Sequence, residues 1–312
     1  MNAPKDVHTR RVQVEKAHAK INLGLKVVGR RPDGFHEIRT IMQTVDLADV
    51  VYLYPAVENS FSCTDPTLPA GKDNLASRAA VVFDRWRCLN WPDPAEALAF
   101  RIHLEKHIPV GAGLGGGSAD AAAVLRSLNR VYGEGFDGLA LQKMAAQLGS
   151  DVPFLIWGGT ALVRGRGEVV EPFEWVGEFH YVLVYPAVQV STAWAYRQLG
   201  PVLTGPSSYL KFINSLSGSG GRVYGRDLLS VLENDFQPLV ERVNPIVAEL
   251  SSWLRQAGAQ ACSMSGSGST VFGIFDDRNA AHQAQKGLQA RGFRSFLCRP
   301  TSPQSTPVTR SG

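Results

Sequence analysis

The chain has 312 residues, 44% of them hydrophobic and 19% charged, with 32 Lys and Arg against 28 Asp and Glu for a net charge of +4. This is the composition of a globular protein long enough for two domains with substantial cores, and the mild charge, without a basic block or a basic stripe interleaved with aromatics, argues against a nucleic-acid partner. Cys63, Cys88, Cys262 and Cys298 are scattered, with no Cys-x-x-Cys and no paired histidines, so they read as buried thiols in a reducing compartment rather than disulfides or zinc ligands. No apolar leader follows Met1 and no run reaches membrane-span length, so the expectation is a cytoplasmic chain with no membrane partner.

Residues 11–15 read as a first strand. In 17–27, if extended, Lys20 and Asn22 share one face while Ile21, Leu23 and Leu25 take the other. A strand lysine is most often a solvated edge charge. Gly29-Arg30-Arg31-Pro32-Asp33-Gly34 is a turn by composition, followed by Phe35, His36 and a strand over 40–45. An aromatic beside a histidine can stack on a base and read its edge, although Phe35 as core and His36 as surface is the commoner outcome. After a strand near 49–54, the Pro-, Thr-, Asp- and Gly-rich stretch 59–74 reads as loop, and Asp73-Asn74-Leu75 opens a helix.

Phe100, Ile102, Leu104 and Lys106 alternate with Arg101, His103, Glu105 and His107 in the period of a half-buried strand, which Pro109 stops. Pro109-Val110-Gly111-Ala112-Gly113-Leu114-Gly115-Gly116-Gly117-Ser118-Ala119-Asp120 then leads into a helix with Val124, Leu125, Leu128, Val131 and Tyr132 on one face, Ser118 as N-cap and Gly133 as stop. The first N–H groups of a helix lack internal partners and carry the positive end of its dipole, and residues without Cβ let a polyanion lie against them. The stretch therefore reads as a phosphate cradle. It has neither the Gly-x4-Gly-Lys-Ser/Thr pattern nor the dinucleotide spacing, and it holds no lysine, so counter-charge comes from elsewhere in the chain or from Mg2+.

Leu141, Met144, Ala145 and Leu148 mark a further helix ended by Gly149. Next, either Ser150 or Asp151 caps a turn with Pro153 just inside it, which local sequence favours, or Asp151 faces the cradle and accepts a proton from a hydroxyl. Residues 157–167 read as a glycine-broken strand and turn, 179–185 as a strand, and Ser191-Thr192 as the start of a short helix carrying Trp194 and Tyr196. Residues 200–225 read as a mobile surface loop. A helix starts at Asn244-Pro245 and stops at Gly258; a second glycine-rich loop around Ser265-Gly266-Ser267-Gly268 suits another part of an anionic ligand. A helix over 279–290 and a strand over 293–299 close a split βαβ-like unit, with a frayed tail from Thr301.

Ala19-Lys20-Ile21-Asn22-Leu23, the glycine stretch from Pro109 with Ala121 and Ala122, Gly149-Ser150-Asp151-Val152-Pro153-Phe154 and Ser265-Gly266-Ser267-Gly268 together resemble the ordered signatures of the GHMP kinase superfamily. Arg31-Pro32-Asp33-Gly34-Phe35-His36-Glu37-Ile38 resembles the segment with which one branch reads cytidine, and the resemblance runs from residue 12 to residue 300. It implies an α+β, two-domain kinase: residues 1–170 an ATP-binding unit like the second domain of ribosomal protein S5, residues 171–312 a ferredoxin-like unit, and the site between them. The implied cofactors are ATP and Mg2+. The implied acceptor is a small molecule, methylerythritol linked to cytidine diphosphate, whose 2-hydroxyl takes the γ-phosphate on the non-mevalonate route to isoprenoids. The implied assembly is a monomer or homodimer without nucleic acid.

By the same resemblance Asp151 would take the hydroxyl proton, with Lys20 stabilising the forming alkoxide. Pro109, Val110, Gly111, Ala112, Gly113, Leu114, Gly115, Gly116, Gly117, Ser118 and Ala119 would hold ATP, with Asn74 and Lys106 beside the adenine. Asn22 and Thr192 would meet the acceptor, His36 would bond to the cytosine, and Phe35 and Tyr196 would stack on its two faces. Gly116-Gly117 stand where many members have Ser-Ser, one hydroxyl of which helps to hold Mg2+, so the metal's protein ligand is unassigned. Phe35 replaces a common tyrosine. Two other readings stay open: a homoserine or mevalonate-type small-alcohol kinase, which needs no Phe35, His36 and Tyr196 constellation, and an S5-like RNA-binding module without turnover.

Overall fold

The computed structural model describes residues 12–69, 71–90, 99–131, 135–199, 207–216 and 221–304. The first segments are two long strands rather than four short ones, β1 (Gln13–Arg30) and β2 (His36–Pro55), paired antiparallel around the turn at 32–34. Their register shifts between His18 and Lys20 and again between Asn22 and Leu25. Such irregularities bend a strand and re-aim its side chains without ending it, so a break in alternation was no break in the element.

Next come β3 (Ser60–Cys63), α1 (Leu75–Asn90) and β4 (Phe100–Glu105). The stretch expected to be loop thus contains a strand, parallel to β4, and a 3-10 turn over Gly71–Asp73. Beyond the glycine stretch lie α2 (Gly116–Val131), α3 (Gly138–Ala145), α4 (Val152–Trp157), β5 (Thr160–Gly165) and β6 (Val169–Val176). Helix α2 begins ahead of Ser118, with the Ala119 amide donating to Gly115 O at 2.8 Å, so Ser118 lies inside the first turn and is not its cap. Tyr132 and Gly133 lie outside the described residues.

The chain continues through β7 (His180–Tyr185), α5 (Thr192–Gln198), α6 (Ser208–Leu216), β8 (Arg222–Tyr224), α7 (Gly225–Leu229), α8 (Gln237–Val243) and α9 (Ile246–Gln256). It closes with β9 (Ala261–Met264), β10 (Val271–Phe275), α10 (Arg278–Ala290) and β11 (Arg294–Cys298). One sheet runs β3-β4-β2-β5-β6-β8 with β1 on β2; the other, wholly antiparallel, runs β11-β7-β10-β9. The expected boundary at 170/171 falls inside β6, which stays in the first sheet and there receives β8.

Apolar clusters stack these elements in layers. Phe83, Leu104, Leu125 and Phe154 belong to a cluster between α1–α4 and the first sheet; Ile21, Leu114, Tyr181 and Phe272 fill the seam between the sheets; Val182, Phe236, Leu254 and Phe275 lie under α8–α10. Strand β7 sends Tyr181 and Leu183 to the seam and Val182 and Val184 to the outer cluster, so it is buried on both faces. Each such aliphatic side chain contributes about 1.5–3 kcal/mol on burial.

Two loop readings are corrected. Within 200–225, Tyr209, Ile213 and Leu216 on α6 and Val223 on β8 are buried, and the Tyr209 hydroxyl donates to Gly24 O at 3.0 Å and accepts from the Ile41 amide at 2.8 Å. The surrounding Gly and Ser obscured an apolar stripe at helical spacing. Residues 200–206 and 217–220 of that stretch lie outside the described residues. The tail, expected to fray from Thr301, docks through residue 304: the Thr301 amide donates to Thr44 O at 2.9 Å, and the Gln304 amide to Trp157 O at 2.6 Å. Backbone docking of this kind leaves no trace in polarity. No helix among the described residues is long and apolar enough to cross a membrane.

Candidate active site

Residues 109–115 cross from β4 to α2 along the seam between the sheets. Gly111, Gly113 and Gly115 take φ of +68°, +78° and +70°, a region that side chains avoid. Ala112 and Leu114 between them are buried in the seam cluster. The apolar pair anchors the loop, and the glycines leave bare backbone along a cleft of about 510 Å³. Both sheets grip the loop: the Lys20 amide donates to Leu114 O at 3.0 Å, the Thr270 amide to Ala112 O at 3.2 Å, and Ser265 Oγ to Gly113 O at 2.9 Å. The approach is close enough that a Cβ on Gly113 would lie 2.3 Å from Ser265 O. The start of α2 faces the same space, with the unpartnered amides and positive dipole end that suit phosphate.

Lys20, on β1, is buried, unlike the usual strand lysine. Its Nζ donates to Asn22 Oδ1 at 2.7 Å and lies 3.3 Å from Asp151 Oδ2. Asn22 Nδ2 donates to Thr40 Oγ1 at 2.9 Å, and that hydroxyl donates to Gly24 O at 2.6 Å, so a chain of hydrogen bonds fixes the ammonium from one side. Asp151 occupies the N-cap position of α4 with Pro153 just inside, but its backbone is helical and its side chain makes no capping bond. The carboxylate faces Lys20 instead, forgoing about 1 kcal/mol of capping. Gly115 presses bare backbone against the pair; a Cβ there would lie 3.0 Å from Lys20 Cγ.

At the other end of the cleft, Thr192 Oγ1 lies 2.9 Å from Ser267 Oγ. Tyr196 stacks on His36 with ring centroids 4.7 Å apart and meets Phe236 edge-on at 4.8 Å. Burial, and secondarily the charge of Arg30, lower the His36 pKa from the usual imidazole value, so the ring is neutral at pH 7 with one donor and one acceptor. Phe35 is 52% exposed, not core; it borders a smaller cavity of about 190 Å³ with Ser150, Pro153 and Arg166. Asn74 lines the cleft while its Oδ1 caps α1 by accepting from the Ala76 amide at 2.9 Å. Ala119 points away from the cleft into the core under α1–α4.

The family model for the GHMP kinases N terminal domain matches residues 74–159, and that for the GHMP kinases C terminal matches residues 225–294. The chain is 40% identical over 290 residues to the 4-diphosphocytidyl-2-C-methyl-D-erythritol kinase of Syntrophotalea carbinolica, covering 92% of this chain and 98% of that protein. It is 42% identical, over the same shares, to the protein of that name from Pelotomaculum thermopropionicum. The chain belongs to this family of GHMP kinases. The crystal structure of a 4-(cytidine 5'-diphospho)-2C-methyl-D-erythritol kinase superposes with a TM-score of 0.74 at 33% identity, covering 93% of this chain and 100% of that one. Homoserine kinase from Cytophaga hutchinsonii, at 21% identity and a TM-score of 0.70 over 98% of each chain, shares the fold.

This ATP-dependent kinase carries one cluster that the sequence does not announce. The Lys106 ammonium, nearly buried, is bonded to Asp49 and, at 2.7 Å, to Asp120 Oδ2. Asp49 Oδ1 also accepts the His107 and Ile108 amides at 2.6 and 2.8 Å, whereas Asp120 Oδ1 is buried with no hydrogen-bond partner. The only advance signal was an aspartate in a strand and another in an apolar helix. Two carboxyls share one ammonium, and burial pushes Asp120 up to about 7, against the pull of Lys106. A carboxyl raised in this way keeps in the fold a proton that the unfolded chain has already released, so its contribution to stability falls as pH rises from about 4 to 7 and is flat above. Asp120→Asn is expected to flatten that part of the pH dependence, checked by urea midpoints at pH 5, 6, 7 and 8; an unchanged slope counts against a raised Asp120.

Proposed function

We propose that the chain transfers the γ-phosphate of ATP to the 2-hydroxyl of 4-diphosphocytidyl-2-C-methyl-D-erythritol, on the non-mevalonate route to isoprenoids, with Asp151 as the base. The observation that carries the assignment of the base is the 3.3 Å pair of Asp151 and Lys20, formed at the cost of a helix cap and set against the glycine loop. The loop and the start of α2 bind the triphosphate, and Asn74 and Lys106 border the adenine end. Asp151 accepts the hydroxyl proton as the oxygen attacks, and Lys20, held in place by Asn22, stabilises the charge that develops. Preorganised charge in a water-poor cleft reorganises little as the reaction proceeds. Neutral His36 hydrogen-bonds the cytosine edge, while Phe35 and Tyr196 supply aromatic faces and Thr192 a hydroxyl beside them.

Mg2+ would enter with the nucleotide. Among the described residues no group of three His, Cys, Asp or Glu side chains is suited to a metal, and the side-chain oxygens along the cleft near the glycine loop include those of Ser118, Asp120 and Asp151. That sparse set fits an ion held chiefly by phosphate oxygens, whose charge it neutralises when bound. We place the enzyme in the cytoplasm as a monomer or homodimer, with no nucleic-acid or membrane partner.

ADP release with Mg2+-ATP should require the cytidyl acceptor and be absent with homoserine or mevalonate; turnover with either alcohol would instead support a small-alcohol kinase. His36→Ala should raise the acceptor KM by about 10-fold to 100-fold with kcat little changed, as expected for a lost hydrogen bond that binds ground and transition states alike. A fall in kcat alone would remove His36 from cytosine recognition.

A further inference from the structure

Arg166 sits in the turn between β5 and β6. The next residue, Gly167, has φ +127°, and a Cβ there would lie 2.2 Å from Ser150 O, so this turn is pressed against the backbone that precedes Asp151. Among the described residues lining the cleft, Lys20, Lys106 and Arg166 carry positive side chains. Lys20 is matched by Asp151 and Lys106 by two aspartates, while the Arg166 guanidinium has no carboxylate within ion-pair distance among the described residues. It lies instead over the exposed ring of Phe35, 4.6 Å from the centroid. Arg166 also lines both the cleft and the smaller cavity beside Phe35, so it stands where the two meet.

The guanidinium therefore covers the surface on which a base would stack, and it is the unmatched charge between that ring and the Asp151 end of the cleft. We infer that Arg166 binds the diphosphate of the acceptor, and that the incoming pyrimidine releases it for this role by displacing it from Phe35. The inference rests on the reading of the acceptor as a cytidine diphosphate derivative. In such a molecule the diphosphate lies between the base and the reacting hydroxyl, as Arg166 lies between Phe35 and Asp151. A planar guanidinium bonds two phosphate oxygens at once, and an exposed cation–π contact is weak enough to exchange for that bond. Base and diphosphate are then recognised together, because the base alone takes the ring from Arg166 without giving its charge a partner.

Calorimetric titration of cytidine and CDP into the wild type, Arg166→Gln and Arg166→Lys tests this. The wild type should bind CDP about 10-fold to 100-fold more tightly than cytidine, the range for hydrogen bonds to a charged group. In Arg166→Gln the preference should fall to about 3-fold or less, with cytidine bound as well as before or better and ATP affinity unchanged, as loss of a diphosphate contact alone requires. Arg166→Lys should fall between, keeping charge but losing the fork. A CDP preference that persists in Arg166→Gln, or cytidine and ATP affinities that fall together as in a structural defect, would overturn the inference and leave the acceptor reading standing. A wild type that binds neither cytidine nor CDP would overturn both.

Discussion

Asp151→Asn is expected to lower kcat by about 100-fold to 10,000-fold while the KM for ATP changes little, the range for loss of a general base. The substitution is well suited to the question because asparagine is nearly isosteric and is itself a good N-cap, so α4 loses no support. What disappears is the proposed acceptor for the hydroxyl proton and the negative partner of Lys20, 3.3 Å away. Single-turnover measurement of phosphoryl transfer separates this from slow product release. Near-normal transfer in Asp151→Asn would show that the pair is an ordinary half-buried ion pair and that the proton leaves by another route.

Lys106→Met should destabilise the fold by about 3–5 kcal/mol, because removing one partner of a buried ionic cluster strands the charge left behind. Here two aspartates are stranded, both almost fully buried. The deficit should be larger at pH 8 than at pH 5, since acid supplies Asp120 with the proton that compensates in part for the lost ammonium. Adding Asp120→Asn to Lys106→Met should recover part of the loss at pH 8. Equilibrium urea unfolding measures all of this. If stability is unchanged and only the KM for ATP rises, Lys106 is a nucleotide contact and the cluster is not a structural support.

The conformation of the glycine loop was legible because its physical demands are narrow: left-handed backbone at alternate positions calls for glycine, and burial of the intervening positions calls for Ala112 and Leu114. The strand and helix on either side were legible from their periods. Asp151 was ambiguous in sequence, since an aspartate before a Val-Pro helix start is what a cap looks like; the distance to Lys20 depends on β1, which the chain reaches some 130 residues earlier. Composition alone points the wrong way at Phe35 and at the stretch 200–225, in opposite directions. A composition-based reading expects a lone phenylalanine inside and a Gly- and Ser-rich stretch outside, whereas tertiary packing leaves Phe35 open and sinks Tyr209 against Gly24. The Asp49, Lys106 and Asp120 cluster joins β2, α2 and the residue that follows β4, and no local pattern encodes it.

The seam cluster draws Ile21, Ile108, Ala112 and Leu114 from one side and Tyr181, Leu183, Tyr209 and Phe272 from the other. The halves are therefore not modules that could be cloned apart, because each would bare an apolar face that only the other can cover. Two fragments cut near the end of β6 should associate or aggregate rather than fold alone, and activity should return only on mixing. Since the glycine loop proposed to hold ATP is stitched into that same seam, a loosened seam would silence the enzyme before the chain as a whole came undone.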